Sequence, residues 1–127
     1  MIIDSNIIIY SNQPHYEPLL HYLRSLNTDI QASLISKLEV IGFYKLNEVD
    51  KADFEAFFDG VSVLPIDYEV ITEAIRLRQQ RKRSLADASI AATALLYNLP
   101  LLINNTVDFE DIPGLKVISM SSVLSQS

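Results

Sequence analysis

The hydrophobic pattern is densest from Leu85 to Leu96, where nearly every residue is apolar or small whichever helical face is counted. Such a stretch predicts a helix buried on more than one side, unlike a surface helix with a single apolar stripe. Asp87 is its exception. Asn98-Leu99-Pro100 ends the helix, Leu101-Leu102-Ile103 is a continuous apolar run of buried-strand type, and Asn104 to Asp108 begins a polar turn.

The rest of the chain alternates in the same way. Met1 to Ile3 reads as a short strand ending at Asp4, with Ile7 to Tyr10 carrying an apolar run past it, and a β-branched run of this kind suits the central strand of a parallel sheet. After the Asn12-Gln13-Pro14 turn, Leu19, Leu20, Leu23 and Leu26 recur at helical spacing, with Pro18 in the first turn. Ile30 to Leu34 predicts a second strand, Ser36 is a cap candidate, and Leu38 to Leu46 a second helix. Asp50 is expected to cap a helix carrying Phe54, Phe57 and Phe58 and stopping at Gly60, which forms an αα-hairpin with the one before. Val61 to Leu64 is a third strand. Asp67 starts a helix with Tyr68, Ile71, Ala74 and Ile75 inward, and Leu115 to Ile118 is a last strand before a polar tail. Strands alternating with helices predict an α/β fold, a mostly parallel sheet with helices on both faces.

Composition narrows this further. The 127 residues suit one domain with a single core, and 49% apolar content with only three glycines argues for dense packing over disorder. No repeat or linker divides residues 1–127. Without cysteine there is neither a disulfide framework nor a thiolate metal site, so any metal must be held by oxygen ligands or by His15 and His21. The two histidines match no metal-ligand spacing. Absence of cysteine fits a reducing, cytoplasmic compartment. The start of the chain lacks a basic leader, and Asp87, Asn98 and Pro100 interrupt the longest apolar stretch, so no membrane association is expected.

Net charge is −6, yet five of the ten Lys and Arg fall between Arg76 and Arg83, directly before the Asp87 helix. Arg78, Arg81 and Lys82 stand three and four apart and form one cluster, whereas Arg76 and Arg83, seven apart, fall on the opposite side if the helix runs that far. A basic strip beside an acidic site suits a polyanionic substrate. It also suits a solvated helix end whose charges favour the dipole.

Asp4, Glu39, Asp87 and Asp108 each lie just past a predicted strand or in a helix's first turn, positions that converge at the carboxyl ends of parallel strands. Carboxylates gathered there repel one another unless a divalent cation neutralises them, and oxygen ligands favour Mg²⁺ or Mn²⁺. The plainer alternative is capping. Ser36-x-x-Glu39 and Ser84-x-x-Asp87 both match the capping box, worth about 0.3–1 kcal/mol with no catalysis involved. Asp4 interrupts an apolar strand, where capping offers less.

Asp4-Ser5-Asn6, the Ser33 to Glu39 segment, Leu85-Ala86-Asp87-Ala88-Ser89-Ile90-Ala91-Ala92-Thr93-Ala94 and Asn105-Thr106-Val107-Asp108-Phe109 together resemble the four motifs of PIN-domain nucleases. Their order and spacing are similar to those of VapC toxins of toxin–antitoxin pairs, and the resemblance covers essentially the whole chain. It implies a PIN-like three-layer sandwich that cleaves RNA. It further implies Asp4, Glu39 and Asp87 as an acidic core for Mg²⁺ or Mn²⁺, places Asn105 where many PIN domains carry a fourth acid, and sets Asp108 close behind. Ile103 stands where Thr is usual. Family membership would also bring a homodimer and a small antitoxin grasped by the hairpin around Phe43 to Phe58, with Arg78, Arg81 and Lys82 along the RNA path. Phe54, Phe57 and Phe58 read first as core residues and second as candidate antitoxin contacts, since three Phe in one short helix can leave an apolar face for a partner. Two other readings stand beside it, a receiver-like Mg²⁺-binding signalling domain and a PIN fold kept only for binding.

Overall fold

The computed structural model describes residues 1–26 and 29–125. In chain order the elements are β1 (Ile2–Ile3), α1 (Ser5–Ser11), a 3-10 turn (Pro14–Tyr16), α2 (Glu17–Leu26), β2 (Gln31–Ser33), α3 (Leu34–Ile41), α4 (Glu48–Asp59), β3 (Ser62–Leu64) and α5 (Tyr68–Gln80). There follow α6 (Leu85–Tyr97), β4 (Leu101–Ile103), a second 3-10 turn (Thr106–Asp108), β5 (Val117–Ser119) and α7 (Met120–Leu124). The strands form one parallel sheet in the order β3-β2-β1-β4-β5. β1 is central, as its β-branched residues predict. Ile2 pairs with Leu101 and Ile3 with Leu102, so the chain's first strand is held by one of its last.

Side chains alternate across a strand, and the two faces of β1 therefore enter different cores. Ile2, Leu101 and Ile103 pack with Val70, Ala74 and Leu77 of α5 and with the buried residues of α6. Ile3, Ala32 and Leu102 pack with residues of α1, α2, α4 and α7 on the other side. This is the three-layer sandwich. Strand order runs outward in opposite directions from the β1/β4 pair, which makes the carboxyl ends of these two strands the crevice of the fold. Receiver-like sheets have the order 2-1-3-4-5, so that reading is set aside.

α6 is buried around most of its circumference, with every residue from Ala88 through Ala94 buried. Its two buried hydroxyls bond within the helix, Ser89 donating to the Leu85 carbonyl and Thr93 to that of Ser89. Asn98, left-handed at φ 52°, ends it.

Several boundaries differ from the sequence expectations. Ile7 to Ile9 lie in α1 instead of prolonging a strand, because the chain turns at Asp4, the N-cap residue. α3 is capped by Ser33 and not Ser36, and it stops at Ile41. Asn47, not Asp50, caps α4, accepting from the Asp50 amide at 2.8 Å. α5 starts after Asp67 as expected, but it buries Val70, Ala74 and Leu77 and turns Tyr68, Ile71 and Ile75 outward. The expected polar tail contains α7, whose Met120 and Val123 are buried. No described helix is long and apolar enough to cross a membrane.

Candidate active site

Asp4 follows β1 directly and is 8% exposed. Burial, and then the nearby Asp87 carboxylate, push its pKa up to about 6; the amides of Ser5 and Asn6 pull the other way, and Glu39 adds to the rise. Glu39 comes from the middle of α3. Its Oε1 accepts a hydrogen bond of 2.7 Å from the Ser5 hydroxyl, which also lies 2.9 Å from the hydroxyl of Ser36. Ser36 is thus an internal, fully buried residue of α3 and not half of a capping box with Glu39.

Asp87 does sit in a capped first turn, its amide donating to Ser84 Oγ at 3.0 Å. Capping is not its whole electrostatic setting. Desolvation raises its pKa, the Ser84 hydrogen bond opposes this, and Asp108 and Glu39 raise it further against the pull of Arg81. Three elements thereby bring Asp4, Glu39 and Asp87 into mutual electrostatic reach, and Asp108 acts on Asp87 from the second 3-10 turn, which forms another wall of the site. Asn105 stands at the start of that wall, capping the second 3-10 turn through the Val107 amide.

The basic strip is organised differently from its helical spacing. α5 ends at Gln80 and Arg81 is fully extended, so Arg81, Lys82 and Arg83 do not follow the helical phase of Arg78. Arg83, expected on an opposite surface, is buried and makes hydrogen bonds to the Leu77 and Asp108 carbonyls and to both Asp111 carboxylate oxygens. Arg81 is paired to Asp111 at 2.8 Å and lies 3.9 Å from the Asp108 carboxylate. Together Arg78, Arg81, Lys82 and Arg83 line a cleft of about 510 Å³ with Ser84, Asp87 and Asp108. The cations therefore border Asp87 and Asp108.

Among the described residues, no three His, Asp or Glu side chains stand close enough as placed to hold one ion. The donor set nevertheless suits a hard divalent cation. It consists of carboxylate oxygens, and the buried Asp4 carries an unfavourable charge that such an ion would relieve.

Compared with known protein families, residues 1–115 match the PIN domain. The chain belongs to the PIN domain family. Among solved structures, this PIN domain is similar to a chain of a toxin–antitoxin complex from Klebsiella pneumoniae at 29% identity and TM-score 0.75, covering 93% of this chain and 95% of that one. DNA-bound VapBC from Salmonella typhimurium matches at 25% identity and TM-score 0.78, with 93% and 96% coverage. VapBC2 from Rickettsia felis, bound to a DNA fragment from its promoter, has the same fold at 21% identity and TM-score 0.81, with 93% and 96% coverage. A comparison with curated proteins returns no match.

Within the PIN domain, the aromatic cluster of α4 is largely interior. Phe54 and Phe58 are 6% and 3% exposed and belong to the core, as the first reading of the cluster expects, which removes them as partner contacts; Phe57 is half-buried in a groove with Leu20, Arg24 and Ala56. Sequence reasoning gave Ser5, Ser36 and Arg83 no part in the site and did not single out Asp111. Ser5 was detectable as the hydroxyl directly following Asp4, but nothing near Arg83 in the chain signals Asp111.

Proposed function

We propose that this PIN domain is a metal-dependent endoribonuclease and the toxin of a toxin–antitoxin pair. The observation that supports this most is Asp4, a carboxylate at the switch point of the sheet whose proton affinity is raised first by its burial and then by the nearby Asp87 and Glu39. A carboxylate kept in so unfavourable a place, at a cost larger than the Ser5 and Asn6 amides offset, points to chemistry. Asp4, Glu39 and Asp87 would hold Mg²⁺ or Mn²⁺, with Asn105 and Asp108 completing the set from the facing turn. The ion, when bound, supplies positive charge that polarises the phosphodiester and makes water acidic enough to attack at neutral pH. The chain's own residues orient Glu39 through Ser5, keep Asp4 buried, and offer Arg78 and Lys82 to the phosphates that approach Asp87 along the cleft.

The solved relatives are described as toxin–antitoxin or VapBC complexes, which supports a small cognate antitoxin as partner. On the α3–α4 hairpin, Phe57 and the exposed Phe43 and Tyr44 are the aromatic residues it has available. Self-association as a homodimer belongs to the same proposal, with the outward Tyr68, Ile71 and Ile75 of α5 as its apolar material.

The deciding experiment is RNA cleavage by wild type, Asp4→Asn and Asp87→Asn proteins with Mg²⁺ or Mn²⁺ and with chelator. Cleavage by wild type that needs the ion, and is abolished in both folded variants, is expected. Full activity in a folded Asp87→Asn protein would reduce that carboxylate to a helix cap.

A further inference from the structure

Arg83 is nearly inaccessible, with its side chain 2% exposed, and it connects three pieces of chain that approach the acidic site separately. It immediately precedes Ser84, the cap of the helix that carries Asp87. Its Nε donates to the Leu77 carbonyl of α5 at 3.1 Å. Nη1 donates to the Asp108 carbonyl at 3.0 Å and to Asp111 Oδ1 at 3.2 Å, and Nη2 to Asp111 Oδ2 at 2.9 Å. The pairing with Asp111 is thus two-pronged, the geometry in which a guanidinium fixes direction as well as distance. Arg81 adds a second guanidinium to the same carboxylate from the solvent side.

One buried fork therefore joins the end of α5, the start of α6 and the turn from Asn105 to Asp111. Phe109 and Ile112 anchor the apolar side of that turn in the core. The polar side, which carries Asn105 and Asp108, is attached to α6 through Arg83, with Arg81 at its rim.

We propose that Arg83 and Asp111 are positioning residues that hold the Asn105–Asp108 turn at a set distance from Asp87, and that ion binding at the acidic site depends on this spacing. The inference rests on the nuclease reading. It adds to it two residues that touch neither ion nor RNA but decide whether the two walls of the crevice act on the same ion. Partners one step removed from a metal's ligands commonly matter in this way.

Asp111→Asn is the variant of choice. Asp111 is exposed, and its amide replacement leaves Arg83 the Leu77 and Asp108 carbonyls and one side-chain oxygen as acceptors, so the variant is expected to fold with reduced stability. Glu110→Gln is its charge-matched control, removing one carboxylate from the same turn at a residue bonded only to Thr106 among the hydrogen bonds described. Two quantities are read, the Mn²⁺ concentration giving half of the maximal thermal stabilisation and that giving half-maximal RNA cleavage. In Asp111→Asn both should rise by about 10-fold or more, with RNA affinity in chelator unchanged, whereas Glu110→Gln should follow wild type. A folded Asp111→Asn protein that loses stability but keeps the wild-type Mn²⁺ dependence would overturn the positioning role while leaving the nuclease reading intact. A wild type that neither binds Mn²⁺ nor cleaves RNA would overturn both.

Discussion

The Ser5 hydroxyl donates to Glu39 Oε1 at 2.7 Å and thereby ties the first turn of α1 to the middle of α3. Glu39 belongs to a solvent-exposed position, and a free glutamate there would sample many rotamers. The bond gives it one direction, toward the end of β1. Ser36, fully buried one turn earlier in α3, shares the same hydroxyl at 2.9 Å, so Ser5 satisfies an interior polar group as well as orienting a candidate ligand.

Ser5→Ala should therefore act on both stability and activity. Leaving the Ser36 hydroxyl without this partner costs about 1–3 kcal/mol, read as a lower urea midpoint with an unchanged slope. Freeing Glu39 should also lower metal-dependent cleavage by about 10-fold. Ser5→Thr, which keeps the hydroxyl, should recover activity more than stability, because the extra methyl enters a packed site. Wild-type cleavage rates in Ser5→Ala would show that Glu39 needs no such orientation.

The fold was legible in the sequence where an apolar run and its punctuation agreed, as in α6 with its Ser84 cap and its stop at Asn98. It was less legible where two equivalent signals competed. Tyr68, Ile71 and Ile75 are as apolar as Val70, Ala74 and Leu77, and only packing against α6 decides which stripe of α5 is inside. Ser33 and Ser36 are both plausible caps, and the longer strand expected there hid the earlier helix start. The acids could be picked out because each interrupts or follows an apolar run. The end of the basic strip was not legible, since neither Gly nor Pro marks the stop at Gln80, and the residue that pairs with the buried Arg83 lies 28 positions away.

A pH dependence follows from Asp4. Its pKa stands at about 6 in the folded chain against an ordinary value of 3.8, so the folded state holds its proton more tightly than the unfolded one. Stability from this group is fully present below about pH 4 and is lost as pH rises through about 6. The loss is on the order of 3 kcal/mol, and the raised pKa of Asp87 acts in the same direction. Asp111, held below the usual carboxylate range by Arg83 and Arg81, works with the opposite sign, and its contribution is lost only at pH values below that window. Metal-free wild type should accordingly unfold at higher urea near pH 4.5 than near pH 7, and Asp4→Asn should flatten the difference. An equal pH slope in both proteins would place the dependence elsewhere.

Divalent ions should reverse the penalty at neutral pH. Binding to the folded state alone stabilises by mass action, about 2.7 kcal/mol at a hundredfold excess over the dissociation constant. Mn²⁺ must also compete with the proton on Asp4. Thermal stabilisation by Mn²⁺ should consequently be larger at pH 7.5 than at pH 5, and small at both in Asp4→Asn. Stabilisation independent of pH and of Asp4 would indicate ion binding at some other place.

The last expectation concerns the cations of the cleft, which the structure divides into two kinds. The charge of Arg81 is already matched by Asp111 and Asp108, and that of Arg83 is buried against Asp111. Lys82 is exposed and makes no salt bridge among the described residues, while the exposed Arg78 is bonded through Nε to the Arg83 carbonyl. Arg78 and Lys82 are the pair best able to exchange counterions for RNA phosphates. Replacing both with Gln should weaken RNA binding to a similar extent across sequences, since phosphate contacts carry no base information. It should also make log affinity against log salt shallower by about 0.7 for each phosphate of single-stranded RNA that is no longer neutralised. Arg81→Gln should behave differently, lowering the melting temperature through the exposed turn it braces and changing the salt slope less. Binding titrations at several salt concentrations, with chelator present to prevent cleavage, measure both. If Arg81→Gln flattened the slope as much as the double variant, its ion pairs would have to open for RNA, and the division between paired and available cations would fail.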